Sequence, residues 1–302
     1  MFRTILLTFP AIVFALNSPA QSSSDTNLVN KKQLRNVIVF ESAVAVTTLV
    51  GLSVLWYADY PQSSFHFIND NAEWLQMDKF GHVTASYYIG KTGYELLRIP
   101  GVERKKAIWY GGATGFVYLG IVEIMDGFSA GWGASMGDVA ANAAGSAAFI
   151  GQQLAWDEQR ILLKWSYHNS QYAQYNPGQL GNTFPERMLK DYNGQTYWLS
   201  ANIRSFLPDN SRFPGWLNIA FGYSADGMIG ARYNPSEING NSVPAFIRTR
   251  QYFLAPDIDL TRIKTKSEFL KMILNILGVL KFPLPAIEYN SVQGWVVHGV
   301  YF

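Results

Sequence analysis

Residues 123–145 read EIMDGFSAGWGASMGDVAANAAG, a stretch in which polar side chains stand among small and apolar ones. The polar positions are Glu123, Asp126, Ser135, Asp138 and Asn142. Glu123 and Asp126 close one helical pattern, and after a glycine-rich turn Ser135 opens the next pattern as an N-cap residue. Burying a carboxylate costs free energy unless the group is paired. The pattern therefore predicts that these groups meet partners at one end of a helical bundle.

The preceding helical pattern supplies a matching set of polar residues. Asp78 and His82 lie four residues apart, and Lys79 lies beside them. Residues three or four apart share one face of a helix, and short loops between antiparallel helices bring successive helix ends together. We therefore predict one polar cluster, which consists of Asp78, Lys79, His82, Glu123, Asp126, Ser135, Asp138 and Asn142.

The residues leave three interpretations of this cluster open. In a structural network, Ser135 caps its helix while His82 and Lys79 neutralise the acids. In a binding site, the same groups contact a small or lipid-like ligand. In a catalytic site, the candidates for proton transfer, or for activating water at a divalent metal, are His82, Glu123, Asp126 and Asp138. Because hydrolytic metal sites usually use more than one histidine, no cofactor is predicted and a divalent metal stays an open alternative.

Composition excludes several classes of function. The 302 residues carry a net charge of +2 and no long basic run, so no nucleic-acid partner is predicted. The chain has no cysteine, which excludes disulfides, thiolate chemistry and an acylated cysteine. The motifs of P-loop, dinucleotide-binding, zinc-protease and serine-hydrolase enzymes are absent, so the sequence favours a role that is not enzymatic.

A secretory signal peptide is predicted for residues 1–20. Arg3 precedes a short apolar run, and Ser18 and Ala20 stand at the −3 and −1 positions of a cleavage site. The run is shorter than the roughly 20 residues that a membrane span needs. The chain is therefore expected in the cell envelope, on the periplasmic side and associated with a membrane, with the outer membrane as one candidate.

The rest of the chain divides by pattern into four segments and predicts an α+β fold. The segments are a flexible leader (21–34), a helical bundle (35–168), a linker (169–189) and an antiparallel β-rich half (190–302) with one inserted helix (266–282). In the last segment, aromatic and β-branched residues recur with a period close to two. The predicted strands are 197–206, 216–224, 228–233, 251–263 and 295–302. Bacterial outer-membrane barrels need at least about eight strands, so we predict a small sheet instead.

The sequence leaves open whether the helical bundle lies in a membrane. Four helical patterns are long enough to cross a bilayer, at 36–57, 80–97, 107–125 and 134–156. Small residues four apart allow close helix packing in lipid and in water alike. If the N-terminus is exported, four spans would place the lysines and arginines of this half on the outer side, against the positive-inside pattern. A compact bundle on the periplasmic side is therefore favoured.

Three stretches carry a resemblance to a known family. MDKFGHVTASYY (77–88), the stretch 123–145 and KDYNGQTYWLS (190–200) resemble the YfiM-like family of predicted periplasmic lipoproteins of unknown function. The helical half is also distantly similar to VanZ-like membrane proteins, through DKxxH at 78–82 and DxxxN at 138–142. The resemblance implies an envelope protein with this polar cluster, and it implies no established reaction.

These observations predict an exported cell-envelope protein that is structural or binds an apolar, lipid-like ligand. Membrane or lipid is the expected partner. The alternative is a hydrolase that acts on a lipid or a cell-wall intermediate through the histidine and carboxylates at the helix ends.

Overall fold

The computed structural model describes residues 29–57 and 60–302, and helices and a mostly antiparallel sheet confirm the predicted α+β class. The predicted signal peptide (1–20) and most of the predicted leader lie outside the described residues. The chain forms two units. The helical unit contains the described residues up to Asp70 together with His82–Gln159, and the sheet unit contains Asn71–Gly81 and Arg160–Phe302.

The helical unit is built mainly from α-helices. They are α1 (Lys31–Leu52), α2 (Met77–Arg98, whose first turn belongs to the sheet unit), α3 (Arg104–Gly112), α4 (Thr114–Gly127) and α5 (Met136–Trp156). Two short strands, β1 (Phe67–Ile68) and β2 (Ala134–Ser135), pair in parallel. The Asn30 side chain accepts a hydrogen bond from the backbone N–H of Gln33, so α1 begins inside the segment that we predicted as a flexible leader.

Glycines bring the helix backbones of this unit close together. A Cβ atom added at Gly115 of α4 would lie 2.0 Å from the carbonyl oxygen of Ser86 on α2. A Cβ atom added at Gly145 of α5 would lie 2.2 Å from the carbonyl oxygen of Val83, also on α2. Both glycines therefore act at direct backbone contacts, which is the close packing that small residues permit between helices.

The sheet unit contains one antiparallel sheet of six strands in the order β10-β9-β8-β5-β4-β3. Its strands are β3 (Ile161–Tyr167), β4 (Gln195–Asn202), β5 (Leu217–Asp226), β8 (Thr249–Ile258), β9 (Leu284–Asn290) and β10 (Gly294–Tyr301). The remaining elements are α6 (Pro177–Leu180), α7 (Phe184–Lys190), the small hairpin of β6 (Glu237–Ile238) and β7 (Asn241–Ser242), and α8 (Glu268–Leu277). α8 lies inside the predicted helix 266–282.

Two predicted assignments need correction, and one strand was not predicted. Residues 161–167, which we assigned to the bundle, form β3, and β9 was not predicted. Residues 228–233 form no strand, because the Asn193 side chain accepts from the backbone N–H of Met228 just after Gly227, whose φ is +76°. β5 pairs with β4 and β8, so residues 228–233 are not its neighbour in the sheet.

The buried face of this sheet carries many polar side chains. Lys164 and Lys281 are both 0% exposed, and their Nζ atoms lie 2.7 and 3.7 Å from the carboxylate of Asp257, which is also 0% exposed. The hydroxyl of Ser200 donates to the same carboxylate at 2.6 Å. Buried charges are tolerated only when they are paired and hydrogen-bonded, so Asp257 holds two cations in the interior.

Candidate functional site

His82 lies between two helices that carry acids. Its Nδ1 is 3.0 Å from Oδ1 of Asn142 and 3.9 Å from Oε1 of Glu123. Its Nε2 is 3.7 Å from Oδ1 of Asp138. Both nitrogens of the imidazole therefore face acceptor oxygens, and the contact with Asn142 is at hydrogen-bond distance. The structure thus brings together residues of α2, α4 and α5 that the sequence placed in one cluster.

Ser135 organises the acids around this ring. As the N-cap of α5, its Oγ accepts from the backbone N–H of Asp138 at 3.2 Å. The same hydroxyl donates to Oδ1 of Asp70 at 2.5 Å, and the backbone N–H of Ser135 donates to Oε2 of Glu123 at 2.9 Å. We call His82, Glu123, Ser135, Asp138 and Asn142 the His82 cluster. Glu123, Ser135, Asp138 and Asn142 are all buried.

The side-chain amide of Asn142 is only partly hydrogen-bonded. The side chain is 0% exposed, and among the described residues its Nδ2 has no hydrogen-bond partner. Its backbone carbonyl accepts from the hydroxyl of Ser86 at 2.6 Å, which fixes α5 against α2. A buried amide N–H without an acceptor costs free energy, so this atom is where a bound water or a ligand oxygen would be stabilised.

The other predicted residues have different partners. The carboxylate of Asp126 accepts from the hydroxyl of Tyr57 at 2.5 Å. Burial raises the pKa of Tyr57, and the adjacent Asp126 carboxylate raises it further. Asp78 and Lys79 belong to the sheet unit, where Asp78 accepts from the hydroxyl of Tyr192 at 2.8 Å and Lys79 donates to Asp78 at 3.2 Å.

Two polar residues that contact the cluster, Asp70 and Ser86, were not predicted from the sequence. Asp70 follows β1, and the parallel pairing of β1 with β2 is consistent with its place beside Ser135. Ser86 lies one turn after His82 on α2, where its hydroxyl also contacts the hydroxyl of Ser146 at 3.0 Å. The spacing of four residues between His82 and Ser86 on α2 was a signal that could have identified Ser86, whereas Asp70 lies in a loop that has no periodic pattern.

An apolar groove lies on the helical unit, with a volume of about 440 Å³. It is lined by Trp109, Ala113, Phe116, Ala143, Ser146, Ala147, Ile150, Gly151 and Leu154. Small residues recur every fourth position on α5, at 143, 147 and 151, so this face of the helix leaves space that larger side chains would fill. The hydroxyl of Ser146 accepts from the backbone N–H of Phe116 at 3.1 Å, so the polar atom of the wall is already bonded.

Two helices among the described residues are long and apolar enough to cross a membrane, judged by length and composition alone. They are Lys31–Leu52 and Arg104–Gly127, and the second joins α3 and α4. A core helix of a soluble protein satisfies the same criterion, so these helices do not by themselves establish a membrane span.

Part of the helical unit matches a known protein family. Residues 66–151 match the family described as predicted periplasmic lipoprotein (DUF2279). The matched segment is less than a third of the chain, and it contains the whole His82 cluster and most of the groove. The match supports an exported protein of the cell envelope whose activity is unknown. No curated protein and no solved structure matches the chain. The likenesses to the YfiM-like and VanZ-like groups stay predictions.

Proposed function

We propose that this envelope protein binds the acyl chain of a lipid in the apolar groove of its helical unit. The groove carries the proposal, because its volume of about 440 Å³ falls in the range of about 300–1,000 Å³ that is usual for small-molecule sites. A family description as a predicted periplasmic lipoprotein supports the same cellular location.

The lining of the groove favours a ligand without hydrogen-bonding groups. Its side chains are apolar except for Ser146, whose hydroxyl is engaged with Phe116 and Ser86. A polar ligand would lose hydrogen bonds to water there and gain none. An acyl chain loses nothing, and each methylene removed from water contributes about 0.8 kcal/mol.

Charges near one end of the groove favour an anionic head group. Arg104 joins the start of α3 to the end of α5, since it donates to the carboxylate of Asp157 and to the carbonyl of Gln153. Lys105 and Lys106 follow it and are exposed, and Nζ of Lys106 lies 3.1 Å from the carboxylate of Glu103. A phosphate or carboxylate head group at this end would be attracted by these cations, while the acyl chain lies between Trp109 and α5.

Filling the groove tests the proposal. Ala147 is exposed on the groove-lining face of α5, so Ala147→Phe should occupy acyl-chain space without disturbing the core. We expect the affinity of the purified protein for cis-parinaric acid, followed by its fluorescence, to fall about tenfold or more, because at least two methylenes lose their contacts. Ala140→Phe is the matched control, since Ala140 is exposed on the same helix outside the groove. Equal affinity in both variants would reject the groove as the site.

The His82 cluster favours a second candidate function, hydrolysis with a divalent metal. The observation is the imidazole of His82, whose Nδ1 and Nε2 lie 3.9 and 3.7 Å from carboxylate oxygens of Glu123 and Asp138. Imidazole and carboxylate oxygens are ligands that zinc and manganese accept. If some of these groups held a metal, it would supply an activated water, and an acid of the cluster that does not bind the metal would be in reach as proton acceptor.

Metal titration separates this candidate from a structural network. If the cluster is a metal site, calorimetric titration with Zn²⁺ or Mn²⁺ should give one site that His82→Ala abolishes and His66→Ala retains. His66 lies in the loop before β1 and is a matched histidine outside the cluster. If the wild-type protein binds neither ion at millimolar concentration, the cluster is a hydrogen-bond network alone.

A further inference from the structure

The six-stranded sheet departs from the usual arrangement of side chains. In an antiparallel sheet of a water-soluble protein, apolar residues face the core and polar residues face water. Here the buried face carries, beside an apolar cluster of Trp198, Ala220, Phe253, Ala255 and Ala286, ten polar side chains: Lys164, Ser166, Thr196, Ser200, Asn202, Asn218, Ser224, Asp257, Glu288 and Asn290. The opposite face carries apolar side chains, many of which are exposed.

The strand register places aromatic residues of this outward face in one row. Successive pairings across all six strands align Trp295, Tyr289, Tyr252, Tyr223, Tyr197 and Trp165. At the β10 end the row is open to solvent, and Trp295 is 75% exposed. Toward β4 and β5 the row is covered from within the same unit, where the ring of Phe80 stacks on Tyr197 and Tyr223.

Two residues further along each strand, a second row consists of aliphatic side chains and one phenylalanine. Its members are Val297, Ile287, Leu254, Phe221, Leu199 and Leu163. Val297 is 77% exposed and Phe221 is 56% exposed. The following outward positions are also apolar: Ile161, Ala201, Ile219 and Pro256, then Leu217 and Ile258. None of these positions carries a charge.

The apolar face has dimensions that fit a membrane. Along β5 it extends from Tyr223 to Leu217, which at about 3.4 Å per residue is about 20 Å. Beyond the aromatic row the outward position on β8 is Arg250, and Trp216 stands just past the other end of β5 with 45% exposure. Trp and Tyr at both edges of an uncharged band, with charge beyond them, are typical of surfaces that sit in a bilayer of about 25 Å apolar height.

We infer that the exposed part of this face lies against the hydrocarbon of a phospholipid bilayer, with Trp295, Tyr289 and Tyr252 of the aromatic row at the level of the head groups. The polar interior favours lipid over a second protein chain, since outward apolar and inward polar alternation is what a strand in lipid requires. The change from an aromatic row to an aliphatic row also matches the boundary between the head groups and the acyl chains of a bilayer. The surface of a protein partner has no such boundary. The inference is independent of the groove in the helical unit.

The absence of cysteine from the 302 residues allows a direct test with single-cysteine variants of the full chain. Val297→Cys is labelled with the fluorophore NBD and mixed with vesicles of phosphatidylethanolamine and phosphatidylglycerol. We expect a blue shift of the emission and at least twofold quenching by doxyl groups on the lipid acyl chains. Glu237→Cys is the matched control, because Glu237 is exposed on the small hairpin of the same unit, and its label should show neither effect.

Two other results with the label at position 297 would overturn the inference. A label at position 297 that keeps its water-like emission with vesicles would show that the face does not enter lipid. A blue shift without vesicles, together with a disulfide dimer of the Val297→Cys variant, would assign the face to contact between two copies of the chain. Val297→Asp provides a second readout, since it should reduce flotation with vesicles about tenfold while Glu237→Gln leaves flotation unchanged. The quenching measurement is repeated in a protein that also carries Ala147→Phe, which fills the groove. Quenching of the label at position 297 should be unchanged there, because the sheet face does not depend on the groove.

Discussion

Replacing Asp257 with alanine should lower the free energy of unfolding by about 3–5 kcal/mol. The carboxylate lies 2.7 Å from Nζ of Lys164 and 3.7 Å from Nζ of Lys281, and all three side chains are fully buried. It also accepts from the hydroxyl of Ser200 and from the backbone N–H of Phe282. Without Asp257, two ammonium groups would stay in the interior with no counter-charge among these contacts.

Urea denaturation in detergent, followed by tryptophan fluorescence, measures this loss. Asp209→Ala is the matched control, because Asp209 is exposed in the same unit and its removal should change stability by less than about 0.5 kcal/mol. Lys281→Met keeps the Lys164–Asp257 pair and removes the surplus cation, so it should cost much less than Asp257→Ala. A loss below about 1 kcal/mol for Asp257→Ala would show that the lysines do not depend on this carboxylate.

A methyl group added at Gly145 should destabilise the helical unit by about 1–3 kcal/mol. The new Cβ would lie 2.2 Å from the carbonyl oxygen of Val83 and 2.9 Å from Cβ of Ser86, so α5 would have to move away from α2. Because α5 carries Asp138 and Asn142, this movement would also open the His82 cluster.

Gly120 supplies the matched control for this prediction. It lies inside α4, and a Cβ atom added there would meet nothing within 4 Å. Gly120→Ala should therefore leave stability unchanged or raise it by up to about 1 kcal/mol, because alanine favours helix more than glycine does. Thermal unfolding followed by circular dichroism compares the two variants. Equal melting temperatures would mean that α5 and α2 are not held in backbone contact at Gly145.

Local signals in the sequence were sufficient for part of the candidate site. Ser135 was predicted as the N-cap of a helix, and the structure has it in that position. Spacings of three and four residues indicated that His82, Asp138 and Asn142 project from helix faces toward one end. Such spacing shows which residues share a helix face, but it does not show which residues they contact. Asp126 accepts a hydrogen bond from Tyr57, which lies 69 residues away in the chain, so a local pattern could not predict this contact.

The sheet shows a second limit of the sequence. Apolar and polar residues alternate along a strand in the same way whether the apolar residues face the core or face outward. The sequence therefore could not show which face of these strands is buried. The boundary between the bundle and the sheet was also not predicted, since the predicted bundle extended to residue 168 and so included β3. The chain leaves α5 at Asp157 in a left-handed conformation with φ of +55°. Glycine is the usual residue at that position, and without it no residue signalled the change from helix to strand.

We propose that the groove between Trp109, Phe116 and α5 holds an acyl chain. The most direct measurement is a crystal structure of the protein with dibromostearic acid, in which anomalous scattering locates the bromine atoms. If the groove is the acyl-chain site, we expect bromine density in the groove beside Ala147, with the carboxylate of the fatty acid toward Lys105 and Lys106. Bromine density at another place, with the groove empty, would contradict it.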